Sequence, residues 1–300
     1  MNVLGAIQLG LIYALLALGV TITFRVMNTP DLTVDGSFTL GLAVSAMMAS
    51  NGHPALGIGL AFLCGGLAGA VTGALYTKGG VHPILAGILT MTGLYSINLF
   101  VMGASPNVSL IGKATLFTTI SGVFAGVDKQ VVTLIFLIAA CAVCVSALAA
   151  FFKTGLGLQI RATGNNHVMV SASSIDGDAM RILAVGIANA FAALAGAVLS
   201  QYQGYADINA GSGVIVIGLA SVIIGEVLMR RKGLTLALAS AVIGSVIYRL
   251  IIALALHLDF FPAYMLKLVS AIIVAITLSV PTIRRKMQDA HRKREGRAAC

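Results

Sequence analysis

The sequence predicts an all-α protein, a polytopic bundle of transmembrane helices, and three observations carry that reading. Of its 300 residues 58% are hydrophobic and 10% charged, and the mean hydropathy is +0.99, whereas a soluble domain carries about 25% charged residues. One core cannot enclose so much apolar side chain, so the surplus faces lipid. Apolar runs long enough to cross about 30 Å of hydrocarbon, roughly 20 residues each, recur nine times. The 34 glycines fit such a bundle, because helices in lipid associate through close backbone approach.

In chain order the expected spans are 3–24, 33–50, 54–76, 82–102, 130–152, 180–200, 213–229, 234–256 and 263–280. The second and seventh are short and begin at glycine-serine pairs, Gly36-Ser37 and Gly211-Ser212. Short, glycine-broken segments often line a pathway through a bundle. The third carries Gly65, Gly69 and Gly73 at four-residue intervals, a smooth face for close helix contact within the chain or between subunits. Residues 103–129, rich in Ser, Gly and Thr, form one long loop, and residues 153–180 form another. The spans make residues 1–282 one membrane domain and leave 283–300 as a basic tail. Leu67–Val71 and Leu194–Val198 share the string LAGAV on spans that run in opposite directions, the pattern an inverted repeat produces.

Sidedness follows from Lys and Arg. With the tail placed inside, nine spans put the N-terminus outside. Fifteen of the 19 basic residues then lie on the inner side, two (Lys113, Lys129) on the outer, and Arg249 and Lys267 within spans. Arg25 follows the first apolar run instead of preceding it, which argues against a cleaved leader. The net charge of +9 does not point to nucleic acid, because seven basic residues sit in the tail from Arg284 to Arg297, where a juxtamembrane segment accounts for them.

Catalytic constellations are missing. Gly112-Lys113 is followed by Ala114 and lacks the first glycine of a phosphate-cradling loop, and the five histidines never stand at the i, i+4 spacing of a zinc-protease helix. Cys141 and Cys144 lie in an apolar run, where they read as two small residues on one helix face. No metal site and no cofactor in this chain are expected.

The inner loop reads TGLGLQIRATGNNHVMVSASSIDGDAMRI from Thr154. Asn165-Asn166 suits the N-cap of a short amphipathic helix, closed by Asp176-Gly177, and such a helix would lie parallel to the membrane. Beyond that loop the order MRILAVGIANAFAALAGAVLSQYQGYADINAGSGVIVIGLASVIIGEVL resembles the permeases of binding-protein-dependent ABC importers for branched-chain amino acids, ribose and nucleosides. The opening GLIYALLALGVTITFRVMNTPDLTVDGSFTLGLAV is similar to that family's first two helices, and HPILAGILTMTGL to its fourth. Within the family the chain looks closest to the branch of tryptophan or tyrosine importers.

The resemblance implies a multi-pass permease of the bacterial cytoplasmic membrane with no activity of its own, which moves a small polar solute such as an amino acid. A binding protein would deliver the solute. ATP with Mg²⁺ would be consumed in a separate ATPase present in two copies, against two permeases that are identical copies or a pair. Asn165 to Ile175 would be the coupling helix, with Asn165, Asn166, His167, Val168, Met169, Ala172 and Ser173 toward the ATPase.

Each ionisable group in or near a span has two readings. Asp31 and Asp35 either cap the second span or line the inner mouth of the solute path, where Ser37 and Asn98 would join them. Asn98 and Asn189 are placed to make interhelical hydrogen bonds. Arg249 and Lys267 either snorkel to the outer headgroups or meet a binding protein or a substrate carboxylate. Glu226 stands four residues before Arg230, the spacing of a helical ion pair. An ion-coupled secondary transporter is the alternative, with a channel or structural protein behind it; the acidic residues fall at span ends and in loops, which speaks against ion coupling.

Overall fold

The computed structural model describes residues 3–124, 126–229 and 233–257, together with 268, 271, 272, 274 and 275. The described residues form eleven α-helices and one two-stranded sheet. Six helices are long and apolar enough to cross a membrane, and Val214–Met229 is a shorter apolar helix. The ninth expected span, the tail and Lys267 lie outside the described residues.

Helix α1 (Val3–Val20) continues into a π-helical turn, Thr21–Val26. There the Thr21 and Thr23 hydroxyls donate back to the Ala17 and Val20 carbonyls, bonds that compete with the regular ladder and bend helices. A connector, 27–32, with Asn28 in the left-handed region (φ 52°), leads to α2 (Thr33–Ser50). Pro54 and Pro83 open α3 (Pro54–Thr77) and α4 (Pro83–Val101), where the missing N–H costs nothing. The long loop holds a strand, β1 (Asn107–Ser109), and a helix, α5 (Leu116–Val123), started by a Thr115–Thr118 capping box. Asp128 caps α6 (Lys129–Phe151).

The inner loop contains two helices, α7 (Gly155–Asn165) and α8 (His167–Ser171). Asp176 caps α9 (Gly177–Gln203), whose C-cap Gly204 has φ 77°. Strand β2 (Tyr205–Asp207) follows, then α10 (Val214–Met229) and α11 (Leu234–His257). β1 and β2 pair antiparallel with Val108 opposite Ala206, which ties the long loop to the end of α9.

The core is built round α9 and α1 with its π turn, 78% and 72% buried over an apolar 18-residue stretch of each against 22% for α4 and α6. Helix α9 packs on α3, α2 and α1, and α11 on α1 and α10. The glycine stripe of α3 is the seam of the closest pair. A side chain at Gly65 would meet Ala193 and the Asn189 carbonyl, one at Gly69 the Val185 carbonyl and Asn189, and one at Gly73 the Cα of Ile182. The stripe therefore closes α3 on α9, antiparallel, within one chain.

Helix α2 starts inside the bundle. Gly36, in its first turn, lies against Met91 and Leu94 at the middle of α4, and Asp31, just before it, reaches Asn189 midway along α9. The chain is thus interrupted before the second span at the connector 27–32, which holds no glycine, while Gly36 and Ser37 are helical in the first turn of α2.

Candidate functional site

Two regions draw the chemistry-bearing residues together. The first lies where α2 begins. Asp31 is 6% exposed; its Oδ1 accepts the Thr33 N–H (2.9 Å) and its Oδ2 accepts Asn189 Nδ2 (2.6 Å). It therefore caps α2 and links that cap to α9. Asp35 serves a different helix: its two oxygens accept the N–H groups of Gly213 and Ile215, each at 2.8 Å. The carboxylate sits on the N-terminus of α10, where unpaired N–H groups and the helix dipole favour negative charge. Gly211 allows this approach, since a Cβ there would strike the Asp35 carbonyl.

Asn98, 1% exposed, donates from Nδ2 to the Gly36 carbonyl (3.2 Å), the interhelical bond the sequence anticipates. Asp35, Asn98, Thr39, Thr92 and Ser212 share the wall of a cavity of about 320 Å³, a size at the lower end of small-molecule sites. Ser37 does not reach it; it is fully buried and its Oγ finds no hydrogen-bond partner among the described residues.

Asp31 is buried and Asp35 half-buried at a level well within the neighbouring helices, because α2 starts late. The position of the acidic residues therefore no longer argues against ion coupling. The Arg249 guanidinium lies 3.8 Å over the Tyr13 ring, which stacks on Phe38, and its Nε is buried without a hydrogen-bond partner among the described residues. A cation–π contact in a desolvated setting is worth about 2 kcal/mol, enough to hold the side chain inward. Nothing in the sequence spacing flags Tyr13, since it reads as one more apolar position of α1.

The second region is one end of the bundle, round a cavity of about 870 Å³ bordered by Arg25, Asn28, Arg161, Asn165, Met169 and Glu226. Glu226 pairs with Arg25 across helices at 2.9 Å; Arg230, the partner expected from spacing, lies outside the described residues. Asn166 caps α8 by accepting the Met169 N–H (3.1 Å), as the Asn pair suggests. Asn165, however, is the last residue of α7, and α8 ends at Ser171, so the expected single helix to Ile175 is two helices with a sharp joint.

Val168 and Met169 stand out from the surface, 82% and 59% exposed, while Val170 is fully buried. Asn165, Asn166, Ala172 and Ser173 are exposed as well. The backbone of His167 is described, opening α8. Helix α7 rests on the π-helical end of α1: a side chain at Gly164 would strike the Val26 carbonyl, and Asn28 Nδ2 donates to the Gly164 carbonyl (3.3 Å). An exposed apolar step thus sits on a helix pair whose other side touches the connector leading to Asp31.

A third polar cluster escapes the sequence altogether. Gln201 Nε2 donates to Ser45 Oγ and the Pro54 carbonyl, and its Oε1 accepts the Leu116 N–H. Tyr202 donates to Gln8, which donates to the Gln130 carbonyl. These bonds tie the long loop and five helices (α1, α2, α3, α6 and α9) together at the end remote from α8.

The sequence profile of the family described as branched-chain amino acid transport system / permease component matches residues 2–278. The chain belongs to that permease family. The permease is 33% identical over 293 residues to a tyrosine transport system permease protein of Clostridioides difficile (strain R20291), covering 97% of this chain and 95% of that protein. It is 26% identical to the ribose import permease protein of Haemophilus influenzae over 92% of this chain and 84% of that protein. A protein of Rickettsia prowazekii (strain Madrid E) without an assigned role is 32% identical over 93% of this chain and 98% of its own length. No solved structure matches the permease. It is a multi-pass helical membrane protein of a transporter family and not a catalyst, and the family's importers work with an ATPase and a binding protein.

Proposed function

We propose that this permease imports an amino acid across the bacterial cytoplasmic membrane, with an aromatic amino acid such as tyrosine as the first solute to test. The tyrosine-transport relative, aligned over nearly the whole of both chains, supports the solute class. A binding protein delivers the solute to the outer face, two permeases of this sequence form the path, and two copies of a separate ATPase use ATP with Mg²⁺ to drive it. The chain itself holds no cofactor. Residues 1–282 form the membrane domain, in nine spans with the N-terminus outside, and 283–300 a cytoplasmic tail among anionic lipid headgroups.

The observation that carries the proposal is α8. Val168 and Met169 expose a hydrophobic step on a helix that does not cross the bilayer, and α7 behind it abuts the backbone of the π-helical turn. A subunit docked on that step, with His167, Ala172 and Ser173 around it, would push on the connector that holds Asp31 and the start of α2. Arg249 and Lys267 are assigned to the outer half, toward solute carboxylate or binding protein. Ion coupling is disfavoured by family membership. The deciding experiment is affinity purification of the tagged permease with mass identification of what accompanies it: an ATPase subunit is expected, and its absence from a correctly inserted, functional permease would reject the importer reading.

A further inference from the structure

Arg249 points into the bundle. Leu238, Ser245 and Ile252 share its side of α11, and all three are buried. Ile243, Ile251 and Leu254, which are exposed, project from the opposite side. Arg249 stands eight residues before His257, the last residue of α11, about 12 Å along the axis at 1.5 Å per residue. Its side chain runs back over the preceding turn and covers Tyr13, ten residues into α1 from Val3. Lipid headgroups meet the other face of α11, and a protein docked on the bundle's end does not come this deep.

A charge held inside a membrane bundle is costly unless it is paired, yet no carboxylate of the described residues forms an ion pair with Arg249; the pairs present are Arg25–Glu226 and Arg181–Asp178. Its Nε is shut off from solvent. The two Nη nitrogens are not: they make no hydrogen bond among the described residues, and they keep accessible surface. The same holds for the Tyr13 hydroxyl, although Tyr13 as a whole is only 7% exposed. Stacking on Phe38 holds the Tyr13 ring in place. The free Nη pair is donor-only, and the phenol O–H beside it can donate too. A guanidinium fork of this kind matches the two oxygens of a carboxylate. A sugar would offer oxygens to the donors but leave the charge uncompensated.

We propose that the Arg249 guanidinium and the Tyr13 hydroxyl form an interior site for the solute's carboxylate. That the carboxylate belongs to the solute rests on the importer reading; that the pair takes a carboxylate is testable without transport. Phenylglyoxal modifies guanidinium groups, and peptide mass spectrometry of the purified permease reads its rate at each arginine. Arg249 should react. Excess para-hydroxyphenylacetate should slow that reaction about fivefold, as a ligand well above its dissociation constant does, whereas tyramine, with an ammonium in place of the carboxylate, should not. Arg161, exposed, is the reference that neither compound changes. An Arg249 that stays unmodified while Arg161 reacts would overturn the site, and so would equal slowing by tyramine. In nanodiscs, protection of Arg249 by phosphatidylglycerol but not by phosphatidylcholine would assign the guanidinium to a lipid phosphate and overturn it as well. In proteoliposomes with binding protein and ATPase, Tyr13→Phe keeps the stack and removes only the hydroxyl, so the maximal rate of L-tyrosine uptake should fall about threefold. Arg249→Gln should lower it about tenfold or more. The half-saturating concentration, set by the binding protein, should be unchanged in both. Full uptake by Arg249→Gln would remove the site from the solute path. Failure of the unsubstituted importer to move L-tyrosine would instead reject the solute assignment, while the protection experiment still decides the carboxylate site.

Discussion

Arg25 and Glu226 approach to 2.9 Å, yet their side chains remain 60% and 35% exposed. An ion pair that wet is worth about 0–1 kcal/mol, so Glu226→Gln is expected to leave thermal stability in detergent unchanged within about 1 kcal/mol. Asp31 is the opposite case. Asp31→Ala removes the cap on Thr33 and leaves Asn189 Nδ2 with only the Val185 carbonyl. Losing a buried, charged hydrogen bond costs about 1–3 kcal/mol, visible as a lowered unfolding midpoint, and an unchanged midpoint would show that the α2–α9 link is not structural. Asp31 was legible in the sequence as a cap, because an Asp two residues before an apolar run is a local signal. That Asp35 caps α10, 178 residues away, was not, since nothing local reports which helix end lies opposite. The contact of Arg249 with Tyr13 was hidden for the same reason, since only packing brings the ring beneath the guanidinium.

Helices were the most legible level, because a run of about 20 apolar residues can do little else in lipid. The first eight expected spans coincide with α1 and its π turn, α2, α3, α4, α6, α9, α10 and α11 to within a few residues. Helix α7 was hidden by the glycines of GLGLQIRATG, which read as loop, although Thr154 caps it and Gly157 and Gly164 are there to fit against neighbouring backbone. The glycine stripe of α3 separates packing from composition. Gly69→Leu should abolish a monodisperse peak in size-exclusion chromatography, as overpacking costs 1–3 kcal/mol or more where backbone must move. Gly59→Leu, on the same helix with open space around it, should behave as the parent, and equal behaviour of the two would reduce the stripe to composition. For α8, Val168→Asp/Met169→Asp should insert normally, because the helix lies outside the hydrocarbon. It should lose the copurifying ATPase, since a charge buried in a docking groove costs several kcal/mol against a coupling energy of about 1–3 kcal/mol. Retained uptake with normal insertion would remove α8 from the coupling mechanism.

At the scale of the whole molecule, the short helices α2 and α10 begin facing each other, joined by Asp35, with the cavity of about 320 Å³ beside the joint. The α7–α8 pair stands at one end and the β1–β2 and Gln201 cluster at the other. Which end faces the cytoplasm rests on charge: fifteen basic residues against two. Helix α6 turns that into a sharp test, because it connects the two ends in one stroke. Its 23 residues rise about 34 Å at 1.5 Å each, slightly more than the roughly 30 Å of hydrocarbon. If it crosses, the segment before Lys129 and the segment after Phe151 lie on opposite sides. Ile111, 88% exposed, marks the first and Ala172 the second. With Cys300→Ser removing the tail thiol, an Ile111→Cys protein should react with a membrane-impermeant thiol reagent in intact cells, and an Ala172→Cys protein only after permeabilisation. The reverse pattern would invert the sidedness and place α8 where no ATPase can reach it. Labelling of both sites in intact cells would mean that α6 does not span, and the bundle would then need a different membrane plane.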